Sequence, residues 1–193
     1  MLYLRPEASL LDFQNYVHQL EVERGFDNEG LVHKCLFLSE ELGEFFELIE
    51  QPAKHGLIAG ELADLLIFPC AIANRLSIDF DAAFAQEKGI AAGTPLTQVQ
   101  QLLGTQTSSL ASLGLQLGTA IGKLSKVVRK LENIKIGTHS KEVKAQTALV
   151  ETVMALCAVA NRAGVNLEKA FRDKEEINKT RTWIVSNPTV AQV

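Results

Sequence analysis

Glu41 and Glu44 stand three residues apart, and so do Glu61 and Asp64; on a helix an i, i+3 spacing puts each pair on one face. Both pairs sit in the same longer stripe. Phe37, Glu41, Glu44 and Leu48, then Leu57, Glu61, Asp64 and Phe68, follow i, i+4, i+7, i+11 with an apolar residue at each end. Two such helices packed antiparallel bring four carboxylates into a partly dry pocket. There their repulsion raises their pKa values unless a cation lies between them. Hard oxygen donors without His or Cys nearby suit Mg2+, or Mn2+, better than zinc, copper or iron. The competing reading is a solvated acidic face, and Glu40, Glu47 and Glu50, further from the core stripe, are read that way. A di-iron carboxylate centre is disfavoured because neither helix carries Glu-x-x-His.

A second constellation lies near the end of the chain. Lys174, Asn178 and Arg181 follow i, i+4, i+7 on one face of a final helix. A mobile point charge and a planar fork both suit phosphate oxygens, and Asn bonds phosphate or base. The alternative is a set of ordinary surface charges balanced by neighbours such as Asp173 and Glu175. Charge is divided along the chain in the same sense: residues 1–88 hold 6 Lys/Arg against 16 Asp/Glu, and residues 89–193 hold 13 against 7. One half suits a cation and the other an anion, or the two surfaces simply attract each other.

The elements that must position these residues are helices throughout, for no alternating run is long enough to make a strand. The fold class is all-α. The first helix runs from an N-cap at Ser9 to Arg24, ended by Gly25. The second follows Gly30 with a core stripe of Leu31, Cys35, Leu38, Leu42, Phe45 and Ile49, and Gln51-Pro52 stops it. The third spans about Lys54 to Leu76, with a kink expected at Pro69. A short fourth runs from Asp79 to Lys88, and Gly89 to Gly93 is the best linker.

Beyond the linker the pattern returns. Cys70-Ala-Ile-Ala-Asn-Arg75 matches Cys157-Ala-Val-Ala-Asn-Arg162 at an offset of 87, and Leu38 to Ile49 matches Leu117 to Val128 at an offset of 79. We read a duplicated helical unit, residues 1–90 and 91–193, with an eight-residue longer connection near Glu132 to Lys141 in the second copy. That copy has Ala120, Lys123, Ala148 and Glu151 where the first has its four acids. One copy keeps the acids and the other keeps the cations.

These residues resemble the MazG-like all-α nucleoside triphosphate pyrophosphohydrolases. The family pattern is a helical ExxE, a helical ExxD and a downstream Lys-x-x-x-Asn-x-x-Arg, met here by Glu41 to Glu44, Glu61 to Asp64 and Lys174 to Arg181. Arg24-Gly25-Phe26 is similar to the turn after the family's first helix. The match covers about 10–88 well and about 115–182 as a degenerate second copy. The resemblance implies a four-helix bundle unit and Mg2+-dependent cleavage of a nucleoside triphosphate to monophosphate and pyrophosphate, in the manner of nucleotide-pool house-cleaning. Glu41, Glu44, Glu61 and Asp64 would hold the metal and Lys174, Asn178 and Arg181 the substrate. A tandem fusion would be an intramolecular pseudo-dimer with one composite site, and a homodimer of such chains stays open.

Composition narrows the alternatives. With 193 residues, 47% hydrophobic and 22% charged, the chain is neither disordered nor collagen-like. Its longest apolar run, Leu65 to Ala73, is too short to span a bilayer, no export signal is seen, and Cys35, Cys70 and Cys157 read as buried reduced thiols of a cytoplasmic protein. Nucleic-acid binding lacks a motif. The other function classes are a catalytically decayed nucleotide or metal binder and a purely structural helical module. His33 reads as a surface residue, Phe26 and Trp183 as packing residues with base stacking the alternative, and Lys34 as a balance to the acidic stripe.

Overall fold

The computed structural model describes residues 2–133 and 138–182, with only the backbone given for residues 52, 133 and 138–144. Eight α-helices and no strand occur among the described residues. They are α1 (Leu10–Arg24), α2 (Leu31–Ile49), α3 (Ile58–Arg75), α4 (Phe80–Lys88), α5 (Leu96–Leu102), α6 (Leu110–Asn133), α7 (Thr138–Ala163) and α8 (Leu167–Asn178), with a 3-10 turn, Pro52–Leu57, ahead of α3.

Local chemistry sets the ends. Ser9 Oγ accepts from Asp12 N at 3.3 Å while Asp12 Oδ2 accepts from Ser9 N at 2.7 Å, a reciprocal capping box. Gly25 closes α1 in the left-handed region at φ 77°, which a side chain would strain. Asp79 caps α4 by accepting from Ala82 N at 2.9 Å. α3 runs through the buried Pro69. α6 continues to Asn133 and α7 begins at Thr138, so the extra length expected in a connection is largely helix; residues 134–137 lie outside those described.

α3 and α7 are the central helices. α1, α2 and α8 pack on α3, while α4, α5 and α6 pack on α7. Thus the short last helix of each half lies against the long helix of the other. The core is continuous across both halves, from Phe13, Phe45 and Leu66 to Leu149, Leu156 and Phe171. By length and apolarity alone Ala53–Arg75 would be eligible to cross a membrane, yet its core face is the one on which the other helices pack.

The recurring Asn-Arg has a concrete use. Gln14 donates to the Ile78 carbonyl at 2.8 Å, accepts from Phe80 N at 3.1 Å, and its own carbonyl accepts from Asn74 at 2.9 Å. Gln100 makes the same three bonds to Val165, Leu167 and Asn161 at 2.6, 3.1 and 2.8 Å. Arg75 donates to the carbonyls of Asp27 and Glu29, and Arg162 to that of Ser108. Ahead of α1 and α5 the chain pairs with itself at Ser9 and Pro95, Leu96 N donating to Ala8 O at 2.8 Å.

α2 meets α6 where glycine lets the helices close. A Cβ on Gly114 would stand 2.9 Å from the Phe45 ring and 3.1 Å from that of Phe46, whereas one on Gly122 would meet nothing within 4 Å. Gly114→Ala is therefore expected to lower unfolding free energy by about 1–2 kcal/mol, overpacking exceeding the gain in helix propensity. Gly122→Ala should raise it by roughly 0.5–1 kcal/mol. Urea denaturation of the two variants checks both signs.

Candidate metal and anion site

α2 and α3 present their acids where α8 crosses them. One carboxylate oxygen each from Glu41, Glu61 and Asp64 lies within 4.8 Å of the others, and all three residues are partly buried. Glu44 is exposed and stands outside this triad, so the expected quartet is a triad with a fourth acid at its edge. Glu40, Glu47 and Glu50 are exposed as expected. Phe37 and Leu57, at the ends of the two acidic stripes, are 41% and 58% exposed, so the stripe is only half roofed.

The electrostatics follow from this packing. Burial, then the charges of Asp64, Glu44 and Glu61, push Glu41 up to about 8, against the pull of Lys174. Burial likewise holds Glu61 and Asp64 above the usual carboxylate range, with Lys174 opposing it in each case. The Lys174 ammonium contacts Asp64 directly. Burial works against its charge, yet Asp64, Glu61 and Glu41 more than offset that, and its pKa rises. Glu61 Oε2 is buried without a hydrogen-bond partner, an arrangement that leaves an oxygen for a cation.

Lys174 therefore belongs with the acids. Asn178 is 3% exposed and donates to Glu175 Oε1 at 3.1 Å. Because a carboxylate only accepts, this bond fixes the amide's orientation, and Asn178 Oδ1 is left buried and unpartnered. Arg181 is not on the helix face where it was expected. α8 ends at Asn178, and Arg181 follows in the next turn, exposed, with Arg181 N bonded to Asn178 O at 3.1 Å. It still borders the site, for its charge acts on Asp64.

Beside the triad opens a cavity of about 350 Å3. Glu41, Asp64, Asn178 and Arg181 line it, and Phe26, Phe37, Ile67, Phe68 and Ala71 form apolar walls. Phe37 and Phe68 lie with ring centroids 5.8 Å apart. A second cavity of about 350 Å3 shares Arg24, Asn178 and Arg181 with the first and adds Glu23 and Lys179. Phe26 thus lines a cavity instead of only packing. His33 points outward to Glu29 at 2.9 Å, 64% exposed. Trp183 lies outside the described residues.

Two ion pairs at the site, Arg24–Glu175 and Lys34–Glu21, do not follow from the sequence pattern. Glu175, read as a surface neighbour, is 3% exposed and takes a two-pronged bond from Arg24, at 2.7 and 3.4 Å. Lys34 does not balance the acidic stripe but pairs with Glu21 of α1 inside the cavity. The position of Lys34, one residue before Cys35 on the core stripe, was the available signal.

Among the described residues, the positions that align in sequence with the four acids form no second acid triad. Ala120 and Ala148 are buried there, and Lys123 and Glu151 close on each other at 2.9 Å. All three cysteines are buried and free; burial pushes the Cys157 thiol up to about 12 and raises those of Cys35 and Cys70, which makes them poor nucleophiles. No family model matches the chain, nor does any curated protein or solved structure.

Proposed function

We propose that the protein is a divalent-metal-dependent hydrolase that cleaves a nucleoside triphosphate to its monophosphate and pyrophosphate. The observation that carries this reading is the meeting of Glu41, Glu61 and Asp64, with Lys174 on Asp64, beside an aromatic-walled cavity that Glu41 and Asp64 line. In the same reading the chain is a MazG-like tandem pseudo-dimer. The matching bonds of Gln14 and Gln100 and the exchange of α4 and α8 between halves support it. The triad, with Glu44 at its edge, and the closed Lys123–Glu151 pair support a reading with one site per chain.

The donor set fits a hard cation: three carboxylates, one of them with an orphaned buried oxygen, and no softer ligand among them. Glu41, Glu61 and Asp64 would hold Mg2+, or Mn2+, which when bound polarises phosphoryl oxygens and acidifies water. The chain's own groups do the rest. Glu44, exposed beside the triad and acting on Glu41 through its charge, would accept a hydrogen bond from the attacking water. Lys174 is a mobile point charge that can leave Asp64 for a phosphate oxygen. Arg181, on the wall shared by the two cavities, supplies a planar fork to the polyphosphate, with Lys179 beyond it. Asn178, held rigid by Glu175, offers its unpartnered oxygen to a donor on the nucleoside.

Chromatography of products from purified protein with Mg2+ and a panel of ribo- and deoxynucleoside triphosphates tests the reading. Monophosphate and pyrophosphate are expected in equal amounts from at least one of them, and none after chelation. Release of orthophosphate alone, or no turnover of any triphosphate, would sink it.

A further inference from the structure

The cavity beside the triad has a charged floor that the hydrolytic reading does not use. Glu21, near the end of α1, and Lys34, in the first turn of α2, are 8% and 2% exposed, form an ion pair with each other, and both line the cavity. A buried ion pair is a poor stabiliser, since apolar residues of similar volume usually hold a core as well. Each of the two occupies a position that its helix's core stripe would give to an apolar side chain: Glu21 follows Val17 and Leu20, and Lys34 lies between Leu31 and Leu38.

The hydrogen-bonding valences of the pair are not used up. Lys34 has three donors, of which one goes to Glu21 Oε1 and a second, weaker one to the Phe26 carbonyl at 3.4 Å. Glu21 commits Oε1, and among the described residues its Oε2 has no hydrogen bond. The floor thus offers one donor next to one acceptor. Around it stand flat and apolar walls from Phe26, Phe37 and Phe68, and Glu41 and Asp64 line the same cavity. An aromatic heterocycle with an amino or imino N–H beside a ring nitrogen or carbonyl fits that floor, and every nucleobase has such an edge.

We propose that the Glu21–Lys34 pair reads the edge of the substrate's nucleobase: Lys34 donates to the ring nitrogen or carbonyl, and Glu21 accepts from the neighbouring N–H. This rests on the nucleotide reading above and names two residues that set its specificity. The physical reason for charged readers is selectivity. Apolar walls alone separate similar rings weakly, whereas buried polar groups left without partners reject an analogue that lacks the matching atoms.

The test compares the whole chain with a double variant, Glu21→Leu together with Lys34→Met, which removes both charges at once and strands neither. A thermal melt verifies that it folds. Calorimetry measures binding of cytidine, uridine, adenosine and guanosine, none carrying phosphate, and of pyrimidin-2-one riboside and purine riboside, which lack the exocyclic group of that edge. The wild type is expected to bind at least one natural nucleoside about 100-fold more tightly than its edge-deleted analogue, and the double variant to reduce that ratio below about 5. A wild type that does not separate the pair, or a double variant that keeps the wild-type ratio, overturns the proposal. Because no phosphate is cleaved in this experiment, absence of triphosphate hydrolysis overturns the enzymatic reading alone.

Discussion

Glu41→Gln is expected to reduce triphosphate turnover on the order of 10³-fold or more and, in the absence of metal, to make the protein more stable at pH 8. The two effects have one cause. Glu41 is pushed up to about 8 by burial and by the three acids around it, so the fold disfavours the carboxylate there, and the Lys174 charge compensates it only in part. The amide keeps the shape, removes the charge and supplies a weaker ligand.

The pH dependence follows with a definite sign. Below about pH 4.5 Glu41 is protonated in both the folded and the unfolded chain, and no penalty arises. Between there and about 8 the folded protein keeps a proton that the unfolded one has lost, so stability falls as pH rises. Glu61 and Asp64, also raised, act in the same direction. A fully buried group with the Glu41 shift would lose nearly 5 kcal/mol; Glu41 is only partly buried, and solvent screening leaves roughly 2 kcal/mol. Melting curves without metal should show that loss between pH 5 and 8 in the wild type and a flatter profile in Glu41→Gln. Mg2+ at about 100 times its dissociation constant should add roughly 2.7 kcal/mol to the wild type and far less to the variant. A variant as active as the wild type, or a wild type whose melt ignores Mg2+, contradicts the metal assignment.

The features legible in the sequence were those with a period. The acids of α2 and α3 repeat at helical spacing between apolar ends, a pattern that, given antiparallel packing, brings Glu41, Glu44, Glu61 and Asp64 together, and three of the four do meet. Ser9, Gly25, Asp79 and Gly89 mark helix ends by local backbone chemistry, and Asn74-Arg75 announced its twin at Asn161-Arg162. The features missed are pairings between distant elements. Arg24 and Glu175 lie 151 residues apart, and nothing in the neighbourhood of Glu175, with Glu176 beside it, distinguishes a buried acid from a solvated one. Glu44 shares a stripe with Glu41, but one further turn carries it out of the packed zone. Arg181 continues the spacing of Lys174 and Asn178 in number only, because α8 has already ended. Periodicity fixes a direction on a helix; how far the neighbouring helix covers that direction is decided by packing.

The Arg24–Glu175 pair carries the second large effect. Glu175→Ala is expected to lower unfolding free energy by about 3 kcal/mol, because it removes the carboxylate that takes a two-pronged bond from a mostly buried guanidinium. The side chains of Arg24 and Glu175 are 13% and 4% exposed, so water replaces the lost carboxylate poorly. The same change frees the Asn178 amide, whose Nδ2 donates to Glu175 and whose Oδ1 faces no partner. Chemical denaturation measures the first consequence. For the second, Glu175→Gln is the better probe, since it preserves the volume and one acceptor. Its loss of stability should be smaller, while KM for the triphosphate rises more than kcat falls, because in the proposed reading Asn178 positions the nucleoside and does not act on the reacting phosphorus. If Glu175→Ala unfolds no more easily than the wild type, Arg24 finds water or another acceptor, and α8 is not clamped to α1 by this pair. If Glu175→Gln lowers kcat with KM unchanged, Glu175 acts on the chemistry itself through its charge on Asp64, and its place is with the acids of the proposed metal site.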